Sequence, residues 1–356
     1  MSRNIKNCCS RWGERCLALL LSLALLPAAP GCAPAREKET DTLRLGVAVY
    51  SQDDTFIASV TQNLERLVQE AEVELGRKIN ISVVDGANNQ TTQMEQVDRF
   101  LSRGCDMLFI NIVDRTAAAV LIDKAEAAGA PAIFFNRQPV AEDIDYRDQV
   151  YYVGARAEES GALQGQLVLD AWNDESLGLD RNGDGVLQYV MLEGEPGHQD
   201  SLLRTEWSVK TLSDAGVAVE KLASDAANWN RGQAAAKMAQ WLREFGGGIE
   251  VVFSNNDDMA LGAIDAIRAW EGSGPLVVGV DGTAPALEAM AARDLYGTVL
   301  NDARGIAQAM VDLALALAEG EDPAQAVDLQ DGHYVWLPYQ KIDWTNLDQF
   351  LPSGDR

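Results

Sequence analysis

The feature that most constrains the fold is a regular alternation of short apolar segments and longer amphipathic segments, which occurs twice along the chain. The apolar segments predict strands at 43–50, 79–84, 107–113, 132–135, 149–153, 187–192, 217–222, 249–253, 276–280 and 297–301. The amphipathic segments predict helices at 55–75, 90–103, 116–128, 158–172, 201–215, 231–245 and 260–270. Such alternation is typical of parallel sheets with helices on both faces. The sequence therefore predicts an α/β protein with two doubly wound parallel-sheet lobes.

Polar side chains follow many of the predicted strands. In doubly wound sheets, small ligands bind beyond the carboxyl ends of the strands. The residues at these ends are Asp53, Asp54, Asn136, Glu193 to Arg204, Asn255 to Asp258, Asp281 and Asn301. Carboxylate, amide and guanidinium groups can bind adjacent hydroxyls, and the aromatic rings of Phe56 and Trp229 in these loops can pack on a pyranose. Each polar residue alone is equally explained as a helix cap or turn former, but together they indicate a sugar cleft.

A second motif, at residues 180–188, has the sequence D-x-N-x-D-G-x-x-Q. It places side-chain oxygens at positions 1, 3, 5 and 9 and glycine at position 6, which is the ligand order of an EF-hand calcium loop. These ligands are Asp180, Asn182, Asp184 and Gln188, and Val186 can contribute its carbonyl at position 7. Position 12 is Met191 rather than Glu. The loop therefore needs a carboxylate from elsewhere in the fold, or it is a turn that binds nothing.

The N-terminal residues predict export. Four basic residues precede the apolar run 17–26, which is too short to span a bilayer, and the run is followed by Gly31-Cys32. A small residue before a cysteine at this place resembles a bacterial lipoprotein signal, so we expect residues 1–31 to be a signal peptide and Cys32 to carry a lipid. Cleavage by an ordinary signal peptidase is the alternative. A lipid on Cys32 would anchor the protein to a membrane without spanning it.

Charge and cysteine content disfavour a nucleic-acid-binding protein and a fold that depends on disulfide bonds. A formal net charge of −25 disfavours binding to a nucleic-acid backbone. After removal of residues 1–31, Cys105 would be the only thiol besides the lipid-bearing Cys32, so no disulfide is expected.

From about Leu43 to Phe350, the chain resembles the galactose/glucose-binding members of the type I periplasmic binding protein family. The segments that carry the resemblance are 53–56, 134–136, 194–200, Arg204, 249–257, 279–281 and 298–302. The resemblance implies that ten residues bind a hexose: Asp54, Phe56, Asn136, His198, Asp200, Arg204, Trp229, Asn256, Asp281 and Asn301. Phe56 and Trp229 would lie against the two faces of the ring. It also implies that Glu250 completes a structural calcium site with residues 180–188.

The resemblance further implies a hinge. Residues 43–154 and 302–336 would form the N-terminal lobe, and residues 155–301 and 337–356 the C-terminal lobe, with crossings near Ala155, Asn301 and Leu337. The lobes would close on D-galactose or D-glucose, and an ABC permease and a chemotaxis receptor would recognise the closed form. Ser51-Gln52 departs from the bulkier pair usual before the Asp-Asp of this family, which leaves the rim of the cleft open to variation.

Three alternatives remain at this level. An enzyme would use His198 and Asp200 as an acid–base pair, but the sequence has no G-x-S-x-G motif, no phosphate-binding glycine loop and only two histidines. A sugar-responsive repressor of the same fold would need a basic DNA-binding segment in place of the export signal. A binding protein for another sugar, such as a pentose, would share every feature described above.

Overall fold

The computed structural model describes residues 42–351. The predicted signal peptide and Cys32 lie outside these residues. The strands are β1 (Leu43–Val49), β2 (Ile79–Asp85), β3 (Met107–Ile110), β4 (Ala132–Phe135), β5 (Val150–Gly154), β6 (Val186–Glu193), β7 (Ala218–Ala226), β8 (Val251–Ser254), β9 (Leu276–Val278), β10 (Thr298–Leu300), β11 (Tyr334–Trp336) and β12 (Gln340–Ile342).

The helices surround these strands. They are α1 (Thr55–Leu75), α2 (Gln90–Ser102), α3 (Ala118–Ala128), α4 (Ala141–Ile144), α5 (Ala157–Asn173), α6 (Gln199–Asp214), α7 (Arg231–Phe245), α8 (Asp257–Arg268), α9 (Ala284–Ala291), α10 (Ala303–Glu319) and α11 (Pro323–Ala326). Short 3₁₀ turns occur at Arg115–Ala117, Gly246–Gly248 and Leu347–Gln349.

The first lobe is built on a six-stranded sheet in the order β11-β5-β4-β3-β1-β2, in which all pairs are parallel. Its central strands β3 and β4 are buried along their whole length, as expected for parallel strands covered on both faces. Separate apolar cores lie on the two faces of the sheet. Ile306, Met310 and Leu313 of α10 belong to one of these cores, so the segment after β10 packs in the first lobe.

The second lobe contains the parallel sheet β7-β6-β8-β9, again with a core on each face. A parallel bridge between Val278 and Gly297 extends this sheet toward β10, and β10 pairs with β12 in antiparallel orientation. Ile342 and Leu347 pack in the core of this lobe. The predicted α/β architecture of two parallel-sheet lobes is confirmed.

The chain passes between the lobes three times. The crossings follow β5, β10 and β11, and they contain Ala155, Asn301 and Leu337 respectively. The first and third crossings lie side by side, because the Leu337 amide donates to the Gly154 carbonyl at 2.7 Å. Three short connections between two lobes, two of them adjacent, are an arrangement that permits hinge motion.

Several predicted boundaries were wrong by a few residues. The strand predicted at 107–113 ends at Ile110, and the helix predicted from residue 116 begins with a 3₁₀ turn before α3. The helix predicted from residue 260 begins at Asp257, because the Asn256 side chain caps it by accepting from the Met259 amide. Within residues 42–351, no helix has the length and apolar character needed to cross a bilayer.

Candidate functional site

A cavity lies where the carboxyl ends of the two sheets face each other, and we call it the ring cavity. Its empty volume is about 330 Å³, including its opening to solvent. The residues that line it are Tyr50, Asp54, Phe56, Asn136, Arg137, His198, Asp200, Arg204, Trp229, Asn256 and Asp281. Nine of the ten predicted sugar ligands are therefore brought together. Asn301 lies beside them in the crossing that follows β10, where its backbone amide donates to the backbone carbonyl of Asp281 at 3.1 Å.

Three lining residues also cap helices. Asp54, His198 and Asn256 are the N-caps of α1, α6 and α8, and each side chain accepts from a backbone amide of the first turn. The explanation of these residues as helix caps therefore holds together with their position in the cavity. Three helices therefore begin at the cavity. The positive end of each helix dipole lies there and favours electron-rich oxygen atoms.

The backbone is strained at three lining residues. Asn136 and Trp229 have φ angles of 60°, and Asp281 has a φ of 124°. Positive φ is rare for residues with a side chain, above all bulky ones, and costs about 1–3 kcal/mol each. Such strain persists where the surrounding structure compensates for it, and it is concentrated at functional sites.

Arg204 connects much of the cavity wall. Its Nη1 donates to the Asn255 carbonyl at 2.8 Å, and its Nη2 donates to the Tyr339 hydroxyl at 3.1 Å and lies 3.4 Å from Asp200 Oδ2. Nη1 also lies 3.8 Å from Asp281 Oδ1. Burial alone would lower the pKa of Arg204, but Tyr339, Asp200 and Asp281 raise it by more, so the guanidinium keeps its charge. Its Nε is buried and finds no hydrogen-bond partner in the described part of the chain.

Burial, which acts to lower the pKa of Arg204, acts to raise the pKa values of the two carboxyl groups beside it. Burial raises the pKa of Asp281 well above its ordinary value, and burial also raises that of Asp200, whereas Arg204 opposes both shifts. The pair of Arg204 and Asp281 is almost completely buried, with side-chain exposures of 4% and 6%. Removal of the cation would leave these carboxylates without a counter-charge in a low-dielectric site.

His198 and Trp229 form one wall. Burial, followed by the charge of Arg137 and Arg204, lowers the pKa of His198 well below its ordinary value, so the ring is neutral. Its Nδ1 accepts from the Asp200 amide at 3.1 Å, which leaves the hydrogen on Nε2. The two rings meet edge to face with centroids 5.2 Å apart.

The indole ring of Trp229 packs directly against Gly194. A Cβ atom at Gly194 would lie only 2.1 Å from Cη2 of the indole, so any larger residue would displace the ring. The Gly194 amide is held by Asn255 Oδ1 at 3.0 Å, and Asn255 is fully buried. The indole Nε1 is buried without a hydrogen-bond partner. Phe56 lines the cavity from the first lobe.

Sequence reasoning missed Tyr50 and Arg137. The guanidinium carbon of Arg137 lies 3.6 Å from the Tyr50 ring centroid, and the Tyr50 hydroxyl donates to Asp54. Arg137 Nη2 donates to Glu195 Oε2 at 2.8 Å, and this ion pair joins the two lobes. Tyr50 is the last residue of the predicted strand 43–50, and Arg137 lies two residues after the predicted strand 132–135, so the strand-end rule could have found both.

The loop at 180–188 is closed by its own hydrogen bonds. Asp180 Oδ1 and Oδ2 accept from the amides of Gly183 and Gly185 at 2.8 and 3.0 Å. The Asn182 and Gln188 side-chain amides donate to Asp184 Oδ2 at 2.8 and 3.0 Å.

Glu250, which directly precedes β8, reaches this loop. Its Oε1 accepts from the Arg181 amide at 2.7 Å, and its Oε2 accepts from the Gln188 amide at 3.0 Å. Burial raises the pKa of Glu250, and nearby Asp180 adds to the shift, although the two backbone bonds oppose it. Three carboxylates, two amide oxygens and the Val186 carbonyl form a donor set that fits a hard cation.

Residues 42–351 contain no group of three or more His, Cys, Asp and Glu side chains that could hold a metal as they stand. A calcium ion at this loop would therefore require the Asn182 and Gln188 amides to turn their oxygens inward and would depend on the Val186 carbonyl.

Comparison with known proteins identifies the family. A family model described as a periplasmic binding protein domain matches residues 45–322. The D-galactose/methyl-galactoside binding periplasmic protein MglB of Haemophilus influenzae is 39% identical over 311 residues, which are 86% of this chain and 92% of that protein. A putative rhizopine-binding protein of Rhizobium meliloti is 30% identical over 315 residues, 87% of this chain and 92% of the relative.

A solved structure has a similar fold. It is an ABC transporter solute binding protein from Bacillus halodurans with bound myo-inositol, which is 28% identical to this chain. Its TM-score is 0.70, and the match covers 86% of this chain and 96% of the other.

Proposed function

The chain belongs to the periplasmic binding protein family, and we propose that it binds a neutral hexose, D-galactose or D-glucose, in the ring cavity. Its relatives are solute-binding proteins, so the chain is a binding protein and not an enzyme. His198 and Asp200, which an enzyme would use as an acid–base pair, are then ligands.

The observation that carries the proposal is a set of buried polar atoms that lack partners. Among residues 42–351, Arg204 Nε, Trp229 Nε1 and Asn301 Oδ1 are all buried without a hydrogen-bond partner, and they belong to residues in or beside the ring cavity. Unpaired buried polar groups cost about 1–3 kcal/mol each, so a ligand that supplies the missing hydroxyl partners is stabilised strongly. A wrong epimer would leave some of them unpaired and would be rejected.

The charges of the cavity favour a neutral ligand. Asp54, Asp200 and Asp281 oppose Arg137 and Arg204, so no single sign dominates. Closure of the lobes removes water from the sugar and brings in ligands from both sides, and the sugar favours the closed form by its higher affinity for it. We propose that the closed form delivers the sugar to an ABC permease and is also recognised by a chemotaxis receptor.

The site of action is proposed to be the outer face of the cytoplasmic membrane. Export by the predicted signal and a lipid on Cys32 would hold the protein there. Mass spectrometry of the membrane fraction would test this: a diacylglyceryl group on Cys32 is the expected result, and a mature chain that begins elsewhere would contradict it.

Isothermal titration tests the proposed ligand. Protein freed of bound sugar by unfolding and refolding is titrated with D-galactose, D-glucose, ribose and myo-inositol. We expect galactose or glucose to bind at least about a hundredfold more tightly than ribose, because ribose lacks atoms to satisfy the full set of partners. Binding of ribose alone would refute the assignment.

A cyclitol is the second candidate ligand. The related structure from Bacillus halodurans holds myo-inositol, and the relative from Rhizobium meliloti is named for rhizopine. Myo-inositol is also a neutral ring bearing hydroxyls, and tighter binding of it than of either hexose would favour this second function.

We propose that residues 180–188 and Glu250 hold a structural calcium ion. Calcium would offset two of the three negative charges there and fasten the start of β6 to the residue before β8. Chelation is expected to lower the melting temperature by several degrees, because a ligand bound only to the folded form stabilises it, and to change sugar affinity by less than about threefold. Calorimetry with and without EDTA measures the melting temperature, and titration with the sugar measures the affinity.

The control for the calcium prediction is Glu250→Gln, which removes one carboxylate charge and keeps the shape. In this variant calcium should raise the melting temperature much less than in the native protein. An equal response to calcium in both proteins, or a large loss of sugar affinity on chelation, would contradict the proposal.

The ion pair between Arg137 and Glu195 is expected to favour closure. Glu195 does not line the ring cavity, so Glu195→Gln tests the pair without removing a sugar ligand. Because Glu195 is partly exposed, we expect a loss of about 1 kcal/mol, or about fivefold in sugar affinity, which becomes smaller at high salt. Glu206→Gln on the exposed side of α6 is the control, and equal affinities for both variants at low salt would show that the pair does not contribute.

A further inference from the structure

A second cavity adjoins the ring cavity, and we call it the side chamber. It lies between segments 113–115 and 137–138 of the first lobe and segment 195–200 of the second lobe. Its empty volume is about 890 Å³, against about 330 Å³ for the ring cavity, and both values include the openings to solvent. Three side chains, Arg137, His198 and Asp200, line both cavities. The two spaces therefore share a boundary.

The lining of the side chamber combines apolar and hydrogen-bonding surface. Val113, Pro196 and Gly197 present apolar atoms, and Gln138 presents an amide. Gln199 Oε1 is buried there without a hydrogen-bond partner. A group with C–H faces and hydroxyls would match such a surface.

The charges of the side chamber do not favour an anion. Arg115 and Arg137 are opposed by Asp114, Glu195 and Asp200. Arg115 also donates to the carbonyls of Gln138 and Pro139, and Arg137 donates to Val113 and Glu195, so both guanidinium groups are already engaged. A neutral occupant costs less desolvation than a charged one in this setting.

We propose that the side chamber holds the second unit of a substituted hexose, a further neutral sugar residue linked to the ring, while the hexose itself occupies the ring cavity. The inference rests on the proposed function and extends its substrate class to disaccharides. The substituent is the one on the ring position that faces His198 and Asp200, because these side chains form the boundary between the two spaces.

A second opening also adjoins the ring cavity but is less suited to this role. It is lined by segments 51–54 and 228–233, and it carries Asp53, Asp54 and Glu195 without a basic side chain. Its lining is predominantly polar, so it suits water better than a sugar face. This opening provides a matched control for the experiment.

The experiment is calorimetric titration of sugar-free protein with D-galactose, D-glucose, their methyl glycosides, lactose, melibiose and maltose. We expect at least one disaccharide to bind within about tenfold of its parent hexose. Gln138→Trp, which fills the side chamber, should weaken that disaccharide at least tenfold and change the parent hexose by less than about threefold. Gln233→Trp in the second opening should change neither the affinity for the disaccharide nor that for the parent hexose.

Three results would overturn the inference. All disaccharides could bind more than about a hundredfold more weakly than the hexose in the native protein, or Gln138→Trp could weaken hexose and disaccharide equally. Tighter binding of a uronic-acid disaccharide than of a neutral one would refute the neutral occupant. If no hexose binds at all, the proposed function fails as well, which separates the two failures.

Discussion

Replacing Arg204 with methionine is expected to abolish sugar binding and to lower the free energy of unfolding by about 3–5 kcal/mol, because it leaves buried carboxylates without their cation. Asp281 and Asp200 would lose the guanidinium, and the Tyr339 hydroxyl and the Asn255 carbonyl would lose a donor. Methionine has similar length and no charge, so the effect would come from the lost charge and hydrogen bonds. Urea unfolding measures the stability, and titration with the hexose measures the binding.

Arg231→Met is the matched control for Arg204→Met. Arg231 makes a two-pronged ion pair with Asp265, with bonds of 2.7 and 2.9 Å, but both side chains are exposed. Exposed pairs contribute about 1 kcal/mol or less, and neither Arg231 nor Asp265 lines the ring cavity. Equal losses of stability in the two variants would show that burial of the Arg204 cluster has no special weight.

The effect of Arg204→Met should depend on pH. Burial already raises the folded-state pKa of Asp281, and loss of the cation would raise it further. A carboxyl group with a raised folded pKa binds its proton more readily when folded, so it destabilises the folded form progressively as the pH rises from the unfolded pKa, and in full above the folded pKa. The deficit of the variant should therefore be largest at neutral pH and should shrink as the pH falls toward about 4. A deficit that grows on acidification would contradict this explanation.

Trp229→Ala is expected to weaken hexose binding by about 100-fold or more, or about 3 kcal/mol. The indole is one wall of the ring cavity and packs against His198. Its removal would open the cavity toward water and would take away the aromatic surface for the sugar ring. The free energy of unfolding should change much less, because the Trp229 side chain is only partly buried and packs at the edge of the core.

Trp207→Ala is the matched control for Trp229→Ala. Trp207 lies on α6 outside the lining of the ring cavity, and its Cβ, which alanine retains, is the atom nearest to Gly161. Its removal should leave hexose affinity within about twofold. If Trp229→Ala retains nearly native affinity, the aromatic wall does not contribute to binding and the proposed site is wrong.

Much of the architecture could be predicted because its signals are local. The largely apolar segment of β1, the continuous apolar runs of β3 and β4, and the amphipathic helices between them indicate a parallel sheet without any tertiary information. The strand-end rule placed Asp54, Asn136 and Asp281 beyond the carboxyl ends of strands in two lobes, and the structure brings them into one cavity. Strand ends were predicted less well, because buried apolar residues continue past the last strand residue, as Ile112 does after β3.

Other parts of the site depend on residues that are distant in the sequence. Tyr339 reaches Arg204, and Arg137 reaches Glu195, through contacts that no local pattern indicates. Asn301 belongs to the second crossing and approaches Asp281 because a parallel bridge joins Asp281 to Leu300. Its buried Oδ1 atom without a partner could be recognised only in three dimensions.

By itself, the sequence determined the two parallel-sheet lobes and the type of side chain at the end of each strand, because periodicity and strand-end chemistry are properties of neighbouring residues. Only the tertiary structure decided which of these side chains share a cavity, how Gly194 seats Trp229, and that a larger chamber adjoins the ring cavity. The physical reason is that distances between remote segments follow from sheet order and from the closure of the lobes, and neither is encoded in any single stretch of the chain.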